Sequence, residues 1–164
     1  MSVPRPLRLL ASLAALLVVA GAPGADASPP TSASGTFTYT SCILNSTQIV
    51  GGNTIIDYTC TIAYTGTFSG TSTLQGPLII HADDSTNFQG TEAFVGTVSG
   101  AAGTVTFNDA SQGTAMSFQE TNVIVNGTGA LTNLHGVLTS VGTVPPRPDI
   151  PYGAYTGQTH FDNR

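Results

Sequence analysis

Apolar and polar side chains alternate along most of the chain beyond residue 35, and a period of two residues is typical of a β-strand with one buried face. The pattern is clearest in residues 54–68. One face of that stretch carries Ile56, Tyr58, Cys60, Ile62 and Tyr64, and the other carries Asp57, Thr59, Thr61 and Ala63. No window repeats apolar residues at i, i+3, i+4 and i+7, so the sequence predicts strands and no amphipathic helix.

The predicted strands follow one another at short intervals, separated by glycine-bearing turns or polar loops. They cover residues 35–42, 54–68, 71–74, 78–82, 87–98, 103–108, 114–126, 136–144 and 152–161. We expect a polar loop over residues 45–53 and a stiff connection over residues 145–148, because proline cannot lie in a central strand. The pattern predicts an all-β antiparallel sandwich or barrel, and periodicity alone does not choose between the two.

Residues 125–137 form a glycine-rich turn between two predicted strands. Its glycines permit positive φ angles or close backbone contacts, while Leu131 and Leu134 require burial nearby. These features predict a tight corner of a closed sheet. The alternative is a phosphate-binding loop, which would need a third glycine at Thr132 and a helix after it.

The first 27 residues have the three parts of a secretory signal peptide. Basic residues Arg5 and Arg8 precede an apolar run over residues 9–20, and small residues lead up to Ala27. A membrane anchor is the alternative, but this run is shorter than the roughly 20 apolar residues that cross a bilayer. We therefore expect a secreted, extracellular protein whose mature chain begins at Ser28.

The chain beyond the predicted signal peptide has a length suited to one domain. Residues 28–34 are small, polar and proline-bearing, so we expect a flexible leader there and a single domain over residues 35–164. Residues 28–164 contain two arginines, no lysine and eight acidic residues, which gives a net charge of 2 − 8 = −6. Such a chain lacks the basic patch that nucleic acid or an anionic membrane would require of a partner.

Cys42 and Cys60 are the two cysteines of the chain. In an exported protein they are expected to form a disulfide, because the compartment is oxidising and no third thiol competes. Two buried free thiols are the alternative, since the sequence does not show whether the two Cα atoms lie within reach.

Three glycine-rich segments resemble those of a known group of barrels. Residues 125–136 (Val-Asn-Gly-Thr-Gly-Ala-Leu-Thr-Asn-Leu-His-Gly) resemble the glycine corner shared by plant allene oxide cyclases and dirigent proteins. Residues 66–72 and 88–105 resemble an uncharacterised bacterial domain family grouped with that barrel. The resemblance covers residues 37–161 and implies a small antiparallel closed β-barrel of about eight strands, allene oxide cyclase-like, with an apolar cavity.

The chain departs from these relatives in two respects. His135 stands where related sequences often carry arginine, and the pair of cysteines is not general among them. The plant relatives steer reactive intermediates mainly by the shape of the cavity, and none of their catalytic motifs can be placed on residues of this chain. The resemblance therefore implies a fold and leaves the function open.

The familiar catalytic motifs are missing from the sequence. There is no Gly-x-Ser-x-Gly, His-Glu-x-x-His or Cys-x-x-Cys pattern, so no classical hydrolase, zinc site or other cofactor is expected. His81, Asp83 and Asp84 are the nearest approach to a metal cluster. Residues of these types at the end of a hairpin usually solvate the turn or bind its backbone, so no metal is predicted.

Aromatic and acidic residues at strand spacing are the candidates for a ligand site. The candidate cavity lining consists of Tyr39, Tyr58, Tyr64, Phe88, Phe94, Met116, Phe118 and Glu120. Aromatic residues at this spacing also form plain core, which is the alternative.

Glu92 is the candidate catalytic residue. A period of two places it between Phe88 and Phe94 on one face of its strand. If that face is the barrel interior, burial raises the pKa of the carboxyl, which could then serve as a general acid or donate a hydrogen bond to a ligand. The alternative is a carboxylate that faces solvent or anchors the structure through hydroxyl and amide groups.

Three classes of function remain open at this point. The first is a secreted barrel that binds a small apolar molecule, the second is an isomerase or cyclase of the allene oxide cyclase type, and the third is a structural or surface-interaction protein with a filled barrel. The oligomeric state stays open, and a homo-oligomer is compatible with each of the three.

Overall fold

The computed structural model describes residues 28–162, so the predicted signal peptide, residues 1–27, lies outside the described residues. Eight strands form one closed antiparallel barrel in which each strand pairs with the next and the last pairs with the first. The strands are β1 (Thr31–Val50), β2 (Asn53–Gly66), β3 (Phe68–Ile80), β4 (Ser85–Val98), β5 (Ala101–Thr114), β6 (Ser117–Gly129), β7 (Leu134–Thr143) and β8 (Tyr152–Phe161). The barrel implied by the resemblance is confirmed. Within residues 28–162 no helix of the length and apolarity needed to cross a bilayer is found.

The first hairpin is longer than the sequence pattern indicates, and the predicted polar loop over residues 45–53 is wrong. β1 continues to Val50 and pairs with β2 as far as Asn53, around a turn in which Gly51 and Gly52 have φ angles of 59° and 84°. Every residue of β1 from Thr40 onward is exposed. A strand that projects beyond the barrel in this way buries neither face. Its side chains therefore need not alternate between apolar and polar, and the sequence pattern does not identify it as a strand.

The start of β1 also differs from the prediction. Thr31–Ser34, which fall in the predicted flexible leader, pair with Gln158 and its neighbours in β8, and Ala33 is 2% exposed. Backbone hydrogen bonds to a partner strand order this segment, although its side chains offer little to bury. In β3, the two short predicted strands join into one that includes Gly76 and Pro77.

The predicted corner between β6 and β7 is confirmed. Leu131 and Leu134 are 0% and 2% exposed and close this end of the barrel. Gly129 and Asn133 take φ angles of 66° and 65°, which turn the chain between the two strands. A Cβ at Gly127 would lie 2.1 Å from the carbonyl oxygen of Leu131, so only glycine permits this approach.

The same end of the barrel is filled by a base cluster, which we define as Phe68, Phe94, Phe107 and Tyr155. All four side chains are 0 to 1% exposed, and neighbouring ring centroids lie 5.5 to 5.8 Å apart. The Tyr155 hydroxyl accepts a hydrogen bond from the Phe68 backbone N–H at 2.8 Å and donates one to the Thr65 carbonyl at 3.1 Å. The hydroxyl passes over Gly35, so a side chain from β8 fixes the start of β3.

Glycines on the inner wall let aromatic rings lie flat against the strands. A Cβ at Gly153 would lie 2.6 Å from the Phe37 ring and 2.1 Å from the Val141 carbonyl oxygen. Phe118 covers Gly142 in the same way, with ring atoms 2.2 to 2.9 Å from the position of a Cβ. Only glycine at these two positions permits the rings to approach the wall so closely.

We expect Gly153→Ala to destabilise the fold by about 1 to 3 kcal/mol or more, because the added methyl group meets backbone atoms that cannot move independently. Thermal or urea denaturation measures the effect. Thr156→Ala, at an exposed position of the same strand, is the control and should change stability by no more than about 0.5 kcal/mol. Equal stability of the two variants would contradict the close packing described here.

The predicted disulfide is present: Cys42 and Cys60 are bonded directly across β1 and β2, at the point where the exposed hairpin leaves the barrel. Cys60 is 1% exposed and belongs to the core.

We expect the double variant Cys42→Ala/Cys60→Ala to lose about 3 kcal/mol of stability, the loop-closure contribution of a bridge of this span. Denaturation of wild type with and without reductant should reproduce the loss, and reductant should not affect the variant. Wild-type protein with two alkylatable thiols before reduction would contradict the bridge.

Candidate functional site inside the barrel

Glu92 lies inside the barrel. Alternate residues of β4 face the interior, and Phe88, Glu92 and Phe94 are 3%, 0% and 0% exposed. The strand pairing places Glu92 opposite Leu74 on one side and Phe107 on the other, and both of these are core residues. The reading in which this carboxyl faces solvent is therefore excluded.

Two further carboxyl groups lie inside on the next two strands. Asp109 in β5 is 4% exposed, and Glu120 in β6 is 6% exposed. In β5, Phe107 pairs with Glu92, and Asp109 is the next inward-facing residue after Phe107. Asp109 pairs in turn with Asn122 of β6, and Glu120 is the inward-facing residue before Asn122. Glu92, Asp109 and Glu120 thus occupy a diagonal across three adjacent strands, and we name them the carboxyl cluster.

A short chain of hydrogen bonds satisfies only part of this cluster. The Asn122 Nδ2 donates to Asp109 Oδ1 at 2.9 Å, and the Ser140 Oγ donates to Asn122 Oδ1 at 2.7 Å. Asp109 Oδ2, both carboxyl oxygens of Glu92 and the Ser72 Oγ are buried without a hydrogen-bond partner. Ser72, Tyr64 and Asp109 all lie close enough to Glu92 for hydrogen bonding to lower its pKa, and the same contact with Glu92 raises the pKa of Asp109, although none of the three forms a hydrogen bond of good geometry with Glu92.

Burial and mutual repulsion shift the protonation of the cluster. Burial, with the nearby charges of Glu92 and Glu120, raises the pKa of Asp109 to about 9. Burial and the charge of Glu92 raise the pKa of Glu120 to about 7. Burial also raises the pKa of Glu92, and its polar neighbours oppose part of that shift. Of residues 28–162, the sole arginine is Arg147, which is exposed.

Most of the predicted lining residues surround this cluster. Tyr39, Tyr64, Phe88, Phe94 and Glu120 are buried, while Tyr58 and Phe118 are partly buried and pack against the core. The Tyr58 and Phe88 rings stack at 5.5 Å, and the rings of Phe118 and Tyr39 meet edge to face at 6.4 Å. Burial raises the pKa of all three tyrosines, so their hydroxyl groups remain protonated.

Met116 does not belong to the lining, so that prediction is wrong. It lies in the turn between β5 and β6 and is 59% exposed. The alternation of β6 begins only at Ser117, and the inward set of that strand therefore starts with Phe118.

The sequence prediction missed six buried polar residues. They are Ser72, Thr86, Asp109, Asn122, Ser140 and Thr159. Asp109 continues the inward alternation of Val105 and Phe107, but the predicted strand ended at Asn108, one residue too early. If the two-residue alternation of β5 is continued past Asn108 towards the end of the strand at Thr114, Asp109 is identified as an inward-facing residue.

Two concave surfaces of about 530 and 600 Å³ lie along the outside and the rim of β3 to β7 and share Asn87, Gln112 and Gln119. Neither is lined by a member of the carboxyl cluster.

The polar residues before β4 form a turn, in which Asp83 Oδ1 accepts hydrogen bonds from the Ser85 N–H and Oγ. Throughout residues 28–162, no group of three His, Cys, Asp or Glu side chains is arranged to hold a metal ion.

The raised pKa values predict that stability falls as pH rises. In the folded chain Glu120 and Asp109 keep their protons up to about pH 7 and 9, whereas in the unfolded chain they lose them near pH 4. The folded state therefore binds more protons between these limits, and each group lowers the free energy of unfolding by up to about 1.4 kcal/mol per pH unit.

Urea denaturation at pH 5, 7 and 9 measures this slope. Asp109→Asn, which cannot ionise, should flatten it above pH 7, while Asp149→Asn at an exposed position should leave it unchanged. Wild-type stability that is constant or rises from pH 5 to 9 would contradict the burial of these carboxyl groups.

Comparisons with known proteins agree with this architecture. One solved structure, a protein of unknown function from the DUF3224 family of Shewanella oneidensis, superposes with a TM-score of 0.63 at 18% identity, over 83% of this chain and 100% of that chain. Another, the pterocarpan synthase dirigent protein GePTS1, gives a TM-score of 0.52 at 16% identity, over 82% of this chain and 89% of that chain. At these identities the likeness concerns the fold alone.

A search among curated proteins finds no match. The sequence profile of DUF3224, described as a protein of unknown function, matches residues 33–143, from the start of β1 through the end of β7. That match covers more than half of the chain and includes all three members of the carboxyl cluster. The chain is a member of the DUF3224 family, which shares its barrel with dirigent proteins.

Proposed function

We propose that the barrel binds a small, largely apolar organic molecule in its interior, with Glu92 as the main polar contact. The observation that carries the proposal is that both carboxyl oxygens of Glu92 are buried and have no hydrogen-bond partner in the protein. A buried polar group without a partner costs about 1 to 3 kcal/mol, and more when it is charged. A ligand beside Glu92 would recover this free energy.

The shape of the wall supports an internal site. A closed barrel of eight strands holds either its own side chains or one small ligand. The base cluster fills one end, whereas at the other end Tyr58 and Phe118 are only partly buried. Rotation of these two side chains would admit a ligand to the carboxyl cluster without a change in the strands.

The chemistry of Glu92 favours binding and leaves catalysis as a second candidate. Its raised pKa allows the carboxyl to donate a hydrogen bond when protonated and to accept one when ionised. A buried carboxyl group with a raised pKa, beside the Tyr64 hydroxyl, could also act as the acid of an isomerase or cyclase. In the third candidate, a structural protein with a filled barrel, the carboxyl cluster would bind no organic molecule.

We also propose that the protein works outside the cell. The disulfide between Cys42 and Cys60 suits an oxidising compartment. The acidic charge of the chain argues against nucleic acid and anionic membranes as partners and leaves a small molecule as the preferred one.

Native mass spectrometry of the secreted protein tests the proposal. We expect a lipophilic compound to copurify at one molecule per chain, and we expect a library of neutral and charged aromatic compounds to yield binders. Glu92→Gln keeps the shape of the side chain and removes its titration, so it should fold and bind the same compounds with altered affinity. Asp149→Asn, an exposed acidic position, is the matched control and should bind as wild type does.

Two results would contradict the proposal. One is the absence of any binder among the library and the copurified material. The other is a Glu92→Gln variant that binds as wild type does and differs only in stability, which would make Glu92 a structural group. Conversion of a bound compound to an isomer of the same mass, lost in Glu92→Gln, would instead support the second candidate.

A further inference from the structure

We infer that the ligand of the barrel is an organic cation, an aromatic or aliphatic body that carries a protonated amine, and that the carboxyl cluster holds the ammonium group. This inference rests on the proposed function and specifies the class of ligand. It follows from the balance of charges, hydrogen-bond acceptors and aromatic faces in the barrel interior.

The charges of the interior are all of one sign. Glu92, Asp109 and Glu120 are buried on adjacent strands, and Arg147, the sole arginine within residues 28–162, is exposed. A neutral ligand with one hydroxyl group would need a single polar contact. Asn122 or Ser140 could supply that contact at a smaller desolvation cost than a buried carboxyl group. Ionisation of a buried carboxyl group without a cation nearby is costly, and a cation beside it would offset that cost.

The unsatisfied atoms match an ammonium group in number and kind. Three carboxyl oxygens, two of Glu92 and one of Asp109, have no partner, and the buried Ser72 Oγ beside Glu92 has none either. An ammonium group carries three donors and no acceptor. A protonated primary amine beside Glu92 is therefore able to donate hydrogen bonds to the orphan oxygens of that residue.

Aromatic faces complete the environment of a cation. Tyr39, Tyr58 and Tyr64 all lie near enough to the carboxyl groups for the charges to raise their pKa values. Phe88 stacks on Tyr58 above the same space. Rings of this kind attract a cation to their faces by about 0.5 to 2 kcal/mol each, and they pack equally well on the apolar body of an amine.

A metal ion is a poorer occupant than an amine. None of the acidic, histidine or cysteine side chains of residues 28–162 form a group of three with the spacing of a metal site. Dispersed carboxyl groups among aromatic rings suit an extended organic cation, whose charge and apolar body occupy different parts of the space.

Binding of a cation is coupled to proton release. Burial raises the pKa of all three carboxyl groups, and an ammonium group beside them favours the ionised form, so a proton leaves as the ligand binds. The titratable groups that face the cluster, on the strands packed around it, are Tyr39, Tyr58 and Tyr64. All of them stay neutral in this range, so affinity for an amine should rise from pH 6 to 8.

Three probes of nearly equal shape test the inference: 1-naphthylmethylamine, 1-naphthylmethanol and 1-naphthoate. Isothermal titration of the full secreted chain should find the amine bound about tenfold or more tightly than the alcohol at pH 7.5, and the acid bound most weakly. Titration in two buffers of different ionisation enthalpy should show release of about one proton for the amine and almost none for the alcohol.

Variants test the role of the cluster. Glu92→Gln and Asp109→Asn should each lower the ratio of amine to alcohol affinity towards one, whereas Asp149→Asn should preserve it. The proton count in wild type remains decisive if either variant fails to fold. Binding of the alcohol as tight as that of the amine, or amine binding without proton release, would overturn this inference and leave the proposed function standing. Failure of all three probes, together with an empty library screen, would overturn both.

Discussion

The closure of the sheet is the constraint on which the rest of the molecule depends. When β8 pairs with β1, alternate residues of the strand segments that form the barrel face its interior and are removed from water, whatever their chemistry. Burial of the apolar residues, which include the base cluster, stabilises the fold. Burial of Glu92, Asp109 and Glu120 destabilises it, because their charged forms lose hydration and, within residues 28–162, no buried arginine or lysine compensates for that loss.

The strands withstand this cost because their geometry is fixed by other contacts. Tyr155 links β8 to the start of β3, the bond between Cys42 and Cys60 joins β1 to β2, and glycines hold aromatic rings against the wall. The close-packed end of the barrel lies at the corner of Leu131 and Leu134, and its base cluster reaches Glu92 through the strand partner Phe107. A site on such a scaffold keeps its shape while its protonation changes.

The sequence predicts the closed part of the fold well, because a strand with one buried face alternates visibly, as in residues 54–68. It fails where pairing rather than burial orders the chain, as at Thr31–Ser34 and Asn45–Val50. For the site, Glu92 and Glu120 stand out as acids on apolar faces. Asp109 does not stand out in this way, because it follows Asn108, where the predicted strand ends. Met116 is wrongly placed in the lining, because the alternation of apolar and polar residues does not show that a turn separates it from β6. Which face of a strand points inward requires the closed structure.

The position of the acids within the barrel bears on the choice between a structural and a binding role. A structural role would be served by neutral amides, since Asn122 already bonds both Asp109 and Ser140 at low cost. Carboxyl groups add repulsion to that arrangement, and this repulsion is greatest when the barrel interior holds no cation. Under the proposed function, a ligand that donates hydrogen bonds or carries positive charge offsets this cost. The same groups that weaken the barrel without the ligand would then stabilise the complex, and this difference in free energy is what a binding site requires.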